Sequence, residues 1–387
     1  MGVRYLLLGA GRQGIAAAYD LARFGDAEHI TVSDVDGRTA ALGAARLNEV
    51  VGSNLATPLT LDVRDNVALR RALADAKACI SSIHYAYNLD ISRAAIGAGV
   101  HLTDLGGNTD VVRQQLALDA DARRADVTIV PDCGMGPGLN VSLATYAMEL
   151  VDTPLDVRIW DGGLPQNPEP PWNYAATFNI AGLTNEYAGS ATFLRDGNLT
   201  PVACFEDLEP IEFAGVGKLE AFVTSGGLST APWSLQGKLR RLENKTVRYP
   251  GHAALFKAFI HLGLLETEPI AVGGVKVAPR DVLHALLEPR IRRQEPVRDV
   301  CVMRVRCDGL KNGKPAAAVV ELVDYYDEYT GFTAMQRLTG WHASIMLIAA
   351  IEDRIRRGAV SVENAMRGSS VVEDCGKRGF RIATTVE

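Results

Sequence analysis

Gly9-Ala10-Gly11-Arg12-Gln13-Gly14 follows the apolar run Tyr5–Leu8 and opens an alanine-rich stretch of helical period, Ile15–Phe24. A GxGxxG hexad is weak in isolation, and its weight here comes from context. A strand pattern precedes it, a helix pattern follows it, and Asp34 stands 20 residues beyond Gly14, just after the apolar run Ile30–Ser33. Together these form the fingerprint of a dinucleotide-binding βαβ unit. Gly9 permits the tight turn, Gly11 lets a pyrophosphate approach the backbone, and Gly14 lets helix and strand pack closely. The helix start, with Arg12 and Gln13 in its first turn, offers free N–H groups and a positive dipole end to phosphate. Asp34 is expected to accept hydrogen bonds from the adenosine ribose. Its charge repels a 2′-phosphate, so NAD is expected over NADP, with Arg12 and Arg38 acting against that preference. Asp62, after the run Pro58–Leu61, lies near the adenine or caps the next helix.

Outward from this motif, apolar runs recur at Ala78–Ser82, Val100–Thr103 and Val127–Val130, with helical patterns such as Val67–Ala76 between them. Strand–helix alternation predicts an α/β Rossmann domain, a doubly wound parallel sheet covered on both faces. Beyond residue 150 the pattern changes. Asp161–Pro171, DGGLPQNPEPP, reads as a long loop of the kind kept for function. Val300–Arg306 and Ala316–Val323 flank turn residues and predict a β-hairpin, hence an α+β domain with a mostly antiparallel sheet. Thr333–Arg357 returns to helical period, with Gly358 as the expected cap. The expected division is a dinucleotide-binding domain over 1–130, a substrate and dimerisation domain over 131–332, and a helical segment over 333–387 returning to the first domain.

The balance of 40 basic and 46 acidic residues, net −6, argues against nucleic-acid binding. The six scattered cysteines contain no CxxC pair and read as reduced thiols, and the histidines show no metal-ligand spacing. No apolar stretch is long enough to span a bilayer and the N-terminus does not read as a signal peptide, so a cytoplasmic protein is expected. A homodimer burying an exposed sheet face is expected as well. Ligands of open α/β sheets bind beyond the carboxyl ends of the strands. Those ends carry Ser81-Ser82-Ile83-His84-Tyr85, Thr103-Asp104-Leu105-Gly106-Gly107-Asn108 and Pro131–Gly138. Ser82, His84, Tyr85, Asp104 and Asn108 are therefore placed for nicotinamide or substrate contacts.

Gly134, Pro137 and Gly138 match the G-x-x-P-G turn of the saccharopine dehydrogenase-like family, which this sequence resembles. Gly162-Gly163-Leu164-Pro165 and the segment Lys245–His252, KTVRYPGH, resemble two further stretches of that family. DGGLPQNPEPPWNY, KLEAFVTSGGLST and RRLENKTVRYPGH resemble its lysine 6-dehydrogenase branch, over essentially the whole chain. The resemblance implies NAD-dependent oxidation of the ε-amine of L-lysine, giving ammonia and an aminoadipate semialdehyde that cyclises to a piperideine carboxylate. It adds Pro137 to the cofactor site. One departure stands out: the acidic residue that saccharopine reductases carry just before the Pro-Gly of the turn is Gly136 here. Saccharopine- or carboxynorspermidine-type imine-forming enzymes, and a non-catalytic NAD-binding regulator, are the alternatives.

Amine oxidation needs a cation for the substrate carboxylate, and Arg248, which matches the family's T-x-R-Y segment, is expected to supply it. It also needs a base, for which Lys245, His252, His84 and Asp104 are candidates. If their segment is a strand, Lys245 and Arg248 point to opposite faces, while Arg248 and His252 share one. Asp104, Asp161 or Glu186 could recognise a second ammonium, and Trp172, Tyr174 and Tyr187 could form apolar lining.

Overall fold

The computed structural model describes residues 2–176, 179–292 and 296–387. The first sheet has seven parallel strands in the spatial order Gly358–Ala359, Thr128–Val130, His101–Asp104, Ala78–Ser81, Val3–Leu8, Ala27–Asp34 and Ala56–Thr60. Helices cover both faces, so Leu6, Leu7, Leu8, Ile80 and Leu102 are all shielded from water. Chain order reverses between Val3–Leu8 and Ala78–Ser81, and this reversal opens a crevice at the carboxyl ends of the strands. The doubly wound α/β sheet expected from the sequence is present.

The second sheet has nine strands. Its main path runs Glu209–Phe213, Gly217–Phe222, Arg241–Arg248, Thr153–Pro165, Asp299–Lys311, Lys314–Tyr325 and Ile382–Val386. Ser190–Arg195 pairs with Arg241–Arg248 off this path, and Asn198–Ala203 pairs with Ser190–Arg195. All its pairs are antiparallel except Arg241–Arg248 with Thr153–Pro165. The expected hairpin turns on Asn312-Gly313, both with positive φ (54° and 72°), the conformation that matches strand twist.

Two local expectations are corrected. Asp161–Pro165 is not loop but the end of a 13-residue strand. Glycine suits strand there because a Cβ on Gly162 would run into the Val247 carbonyl of the next strand. Gly358 caps no helix. The helix Ala334–Ile351, opened by a Thr333–Gln336 capping box, ends earlier, and Gly358 (φ 118°) starts the seventh strand of the first sheet. The C-terminal segment thus gives one strand to each sheet.

Helix Ala334–Ile351 is buried along nearly its whole length because it lies between the two halves. A Cβ on Gly340 would come within 2.6 Å of Gln13 O and 2.7 Å of Ala17 N, so glycine lets this helix touch helix Arg12–Phe24. Gln336 Nε2 donates to Arg12 O at 3.0 Å, and Thr103 Oγ1 donates to Ala343 O at 3.1 Å.

Candidate active site

The strand ends of the first sheet face a cavity of about 590 Å³ whose other wall comes from the second half of the chain. A smaller hollow of about 280 Å³, on the far side of the glycine-rich turn, is bounded by Gly9, Asp34, Asp62 and Arg64. The residues between fit a dinucleotide. Gly9 has φ 94°, and a Cβ there would meet Ile83 Cγ2 at 2.7 Å. Around Gly11 a Cβ would meet nothing within 4 Å, leaving its backbone open to an approaching phosphate. At Gly14 a Cβ would collide with Gly9 O and Ser82 Oγ.

Asp34 is held at the rim of the smaller hollow by Ala10 N, which donates to Oδ2 at 3.1 Å, and by Asp36 N, which donates to Oδ1 at 3.0 Å. Asp62 is gripped by Arg64 through Nε (2.9 Å) and Nη2 (2.6 Å), and these bonds hold its carboxyl down at about 2. Ser82 lines the main cavity while its hydroxyl braces the turn, donating to Gly9 O at 2.8 Å. Gln13 lines the cavity too, and Arg12 is exposed on the first helical turn. Pro137 follows a cis bond, and the wall there is formed by Gly134, Met135 and Gly136.

At the far end of the cavity, strand alternation turns Arg248 inward and Lys245 outward. Arg248 is only 4% exposed. Its Nε donates to Tyr187 Oη at 3.0 Å, its Nη1 donates to Val247 O at 2.9 Å, and its guanidinium lies 5.3 Å over the Tyr174 ring. Among the described residues no carboxylate forms an ion pair with it, so the pocket is built around an unmatched buried cation. Tyr187 Oη also pairs with His252 Nε2 at 2.9 Å. Burial and the charge of Arg248 keep the His252 imidazole well below its ordinary value, hence neutral. His252 and Tyr174, expected as substrate contacts, pack around Arg248 and do not line the cavity.

Two carboxyl groups line the cavity near Arg248. Asp161 Oδ1 accepts from Asn244 Nδ2 at 2.7 Å, and Oδ2 fills the space that a Cβ on Gly136 would occupy. Burial lifts its carboxyl to about 6, with the Asn244 bond and Arg248 pulling the other way. Glu186, at the end of helix Ile180–Glu186, is lifted to about 7 by burial, opposed by Arg248 and reinforced by Asp161. Arg280, at the start of helix Pro279–Ile291, also lines the cavity, with Nε donating to Leu265 O at 2.8 Å.

Three residues expected at the site lie elsewhere. Lys245 Nζ points out of the other sheet face to Glu209 at 2.9 Å. Asp104 is buried behind the wall, where its carboxylate accepts from Gly106 N (2.8 Å), Asp132 N (3.2 Å) and Gln115 Nε2 (2.7 Å). It fixes the loop that presents Gly106 and Gly107. Asn108 caps helix Thr109–Leu116, accepting from Asp110 N at 3.0 Å and Val111 N at 3.1 Å. His84 does line the cavity, at its exposed rim, with Nδ1 accepting from Ala86 N at 3.3 Å. Behind Gly106, Asp132 accepts from Ser229 Oγ, and burial followed by the nearby Asp104 lifts its carboxyl to about 7. Arg280 and Asp132 were not singled out from the sequence; the one visible signal was Pro279-Arg280-Asp281, a proline and an acid suited to a first helical turn.

Comparison with known proteins adds three findings. Residues 5–130 match the model of the saccharopine dehydrogenase NADP binding domain, and residues 134–378 match that of the saccharopine dehydrogenase C-terminal domain. A saccharopine dehydrogenase (NADP(+), L-glutamate-forming) of Pyricularia oryzae is 25% identical over 226 residues, 56% of this chain. The match spans about half of that relative's length (50%). Among solved structures, the apo saccharopine dehydrogenase (L-Glu forming) of Saccharomyces cerevisiae superposes with a TM-score of 0.80 at 20% identity, covering 100% of both chains. The homospermidine synthase of Legionella pneumophila in complex with NAD superposes with a TM-score of 0.67 at 12% identity, covering 100% of this chain and 92% of that one.

Proposed function

This chain belongs to the saccharopine dehydrogenase family, and from that premise we propose that it is an NAD-dependent dehydrogenase removing the ε-amine of L-lysine. The observation that carries the reading is the buried, unmatched Arg248 in one cavity with Asp161, a carboxyl lifted to about 6. Arg248 binds the substrate carboxylate. Asp161, ionised at neutral pH and above, takes a proton from the ε-ammonium and leaves the nitrogen lone pair free. The bound dinucleotide supplies the hydride acceptor at its nicotinamide ring. As the Cε–H electron pair departs, the C=N bond forms. Water adds to the iminium carbon, ammonia leaves, and the semialdehyde closes onto its own α-amine with loss of water.

NAD is favoured over NADP because the Asp34 carboxylate stands at the adenosine hollow, where it would repel a 2′-phosphate, while Arg64 is already engaged by Asp62. A second reading rests on Arg280. A second guanidinium without a carboxylate partner among the described residues suits a secondary-amine substrate that carries a further acid group. The test is a cuvette of protein, L-lysine and NAD or NADP at mildly alkaline pH, followed by absorbance and ammonia release. NADH and ammonia from lysine, absent with saccharopine, support the first reading. Oxidation of saccharopine in place of lysine moves the protein to the second, and inertness toward both sinks each.

A further inference from the structure

Glu186 and Tyr187 are consecutive, and they face two parts of one device. Tyr187 Oη holds Arg248 Nε at 3.0 Å, while Glu186 lines the cavity beside that arginine. The backbone here is pinned. Ser225 N donates to Glu186 O at 2.8 Å, Asn179 Oδ1 caps the helix start by accepting from Ala181 N at 2.7 Å, and Thr184 Oγ1 meets His284 Nε2 at 2.8 Å. The Glu186 side chain, by contrast, has no hydrogen-bond donor among the described residues. Glu186 and Arg248 feel each other's charge yet form no ion pair. A cation and an anion fixed on one wall, near but not touching, are complementary to a group that is itself a compact zwitterion. Asp161, whose Oδ1 already accepts from Asn244, is assigned to the ε-amine at the other end of the substrate.

We propose that Glu186 and Arg248 together read an α-amino-acid head group, Glu186 taking the α-ammonium and Arg248 the carboxylate, so that Glu186 is a specificity-determining residue that rejects ligands lacking an α-amine. The proposal rests on the amine-dehydrogenase reading for what happens at the other end of the substrate, but head-group binding can be measured without turnover.

The probes are L-norleucine, which has the complete head group and no ε-amine, and hexanoate, which has only the carboxylate. Calorimetric titration of the full chain with NADH present, at mildly alkaline pH, compares wild type with Glu186→Gln. Wild type should bind norleucine about 10–100-fold more tightly than hexanoate, the range of one charge-assisted contact in a partly dry site. In Glu186→Gln norleucine should weaken by about tenfold or more, while hexanoate holds or tightens because a repelling carboxylate has gone. A merely structural role would weaken both together. Parallel loss of both probes, or a wild type that binds neither or does not distinguish them, overturns the proposal. Discrimination of norleucine without turnover of lysine would leave the head-group assignment standing and remove the lysine reaction.

Discussion

Replacing Asp161 by Asn tests the proposed chemistry at a single atom. The amide keeps the size of the carboxyl group and can still accept from Asn244 Nδ2, now at 2.7 Å, so the strand and the Gly136 turn retain their packing. It cannot accept a proton from an ammonium. A positioned base contributes about 10²–10⁴-fold, or about 3–5 kcal/mol of barrier. The loss should fall mainly on kcat, because Arg248, the proposed carboxylate contact, is unchanged. It should also depend on pH in a defined way. With Asp161 at about 6, wild-type kcat should fall as pH drops through that region, because protonation removes the base, whereas protonation of Glu186 would act on KM. The Asn variant should lack that step. Its deficit should shrink toward about pH 10, where free lysine ammonium deprotonates unaided. Initial rates of NADH formation from pH 5 to 10, with burst or single-turnover traces to isolate the chemical step, measure all of this. A variant within about threefold of wild-type kcat at neutral pH, or one with an unchanged acid limb, would refute the assignment.

Asp34→Ser should raise the ratio of NADP to NAD kcat/KM by about tenfold or more, since it removes both the ribose acceptor and the repelling charge; a constant ratio would show that Asp34 does not meet the ribose. Lys245→Met should leave kcat within about twofold, because Nζ faces Glu209 on the other side of the sheet. A large drop in kcat with a shifted pH profile would restore Lys245 as the base. Asp132 is lifted from its ordinary 3.8 to about 7, so the folded state holds its proton more tightly than the unfolded chain. That contribution is complete below about pH 4 and lost as pH rises through about 7, up to roughly 4 kcal/mol. Chemical denaturation of Asp132→Asn should therefore show its stability relative to wild type improving between pH 5 and 9, and a pH-independent difference would contradict the buried-acid account.

The cofactor half was legible because its signals are local. Turn glycines, the preceding strand and an acid at fixed spacing all lie within about one supersecondary unit, and glycine is required at Gly9 and Gly14 because a Cβ there would collide with neighbouring atoms. The substrate half was legible only in part. Asp161 sits in a Gly- and Pro-rich stretch whose composition says loop, yet strand pairing with Asp299–Lys311 decides otherwise, and tertiary pairing leaves no local mark. The alternation argument did separate Lys245 from Arg248. It failed for His252, because the strand ends at Arg248 and His252 opens the helix His252–His261, with its ring packed against Tyr187 and Phe256. Asp104 and Asn108 stand at strand and loop ends where ligands gather, but backbone N–H groups there compete for the same oxygens and win.

The close touch of Gly340 on the helix of the phosphate turn has a mechanical corollary. Helix Ala334–Ile351 also contributes Met335 and Thr339 to the cavity. The nucleotide half and the large sheet therefore share one helix that packs on both. Two charged groups of the cavity wall, Glu186 and Arg280, come instead from an outer pair of helices, Ile180–Glu186 and Pro279–Ile291. Substitutions in those two segments would change the charge of the cavity wall without touching the helix that backs the glycine-rich turn.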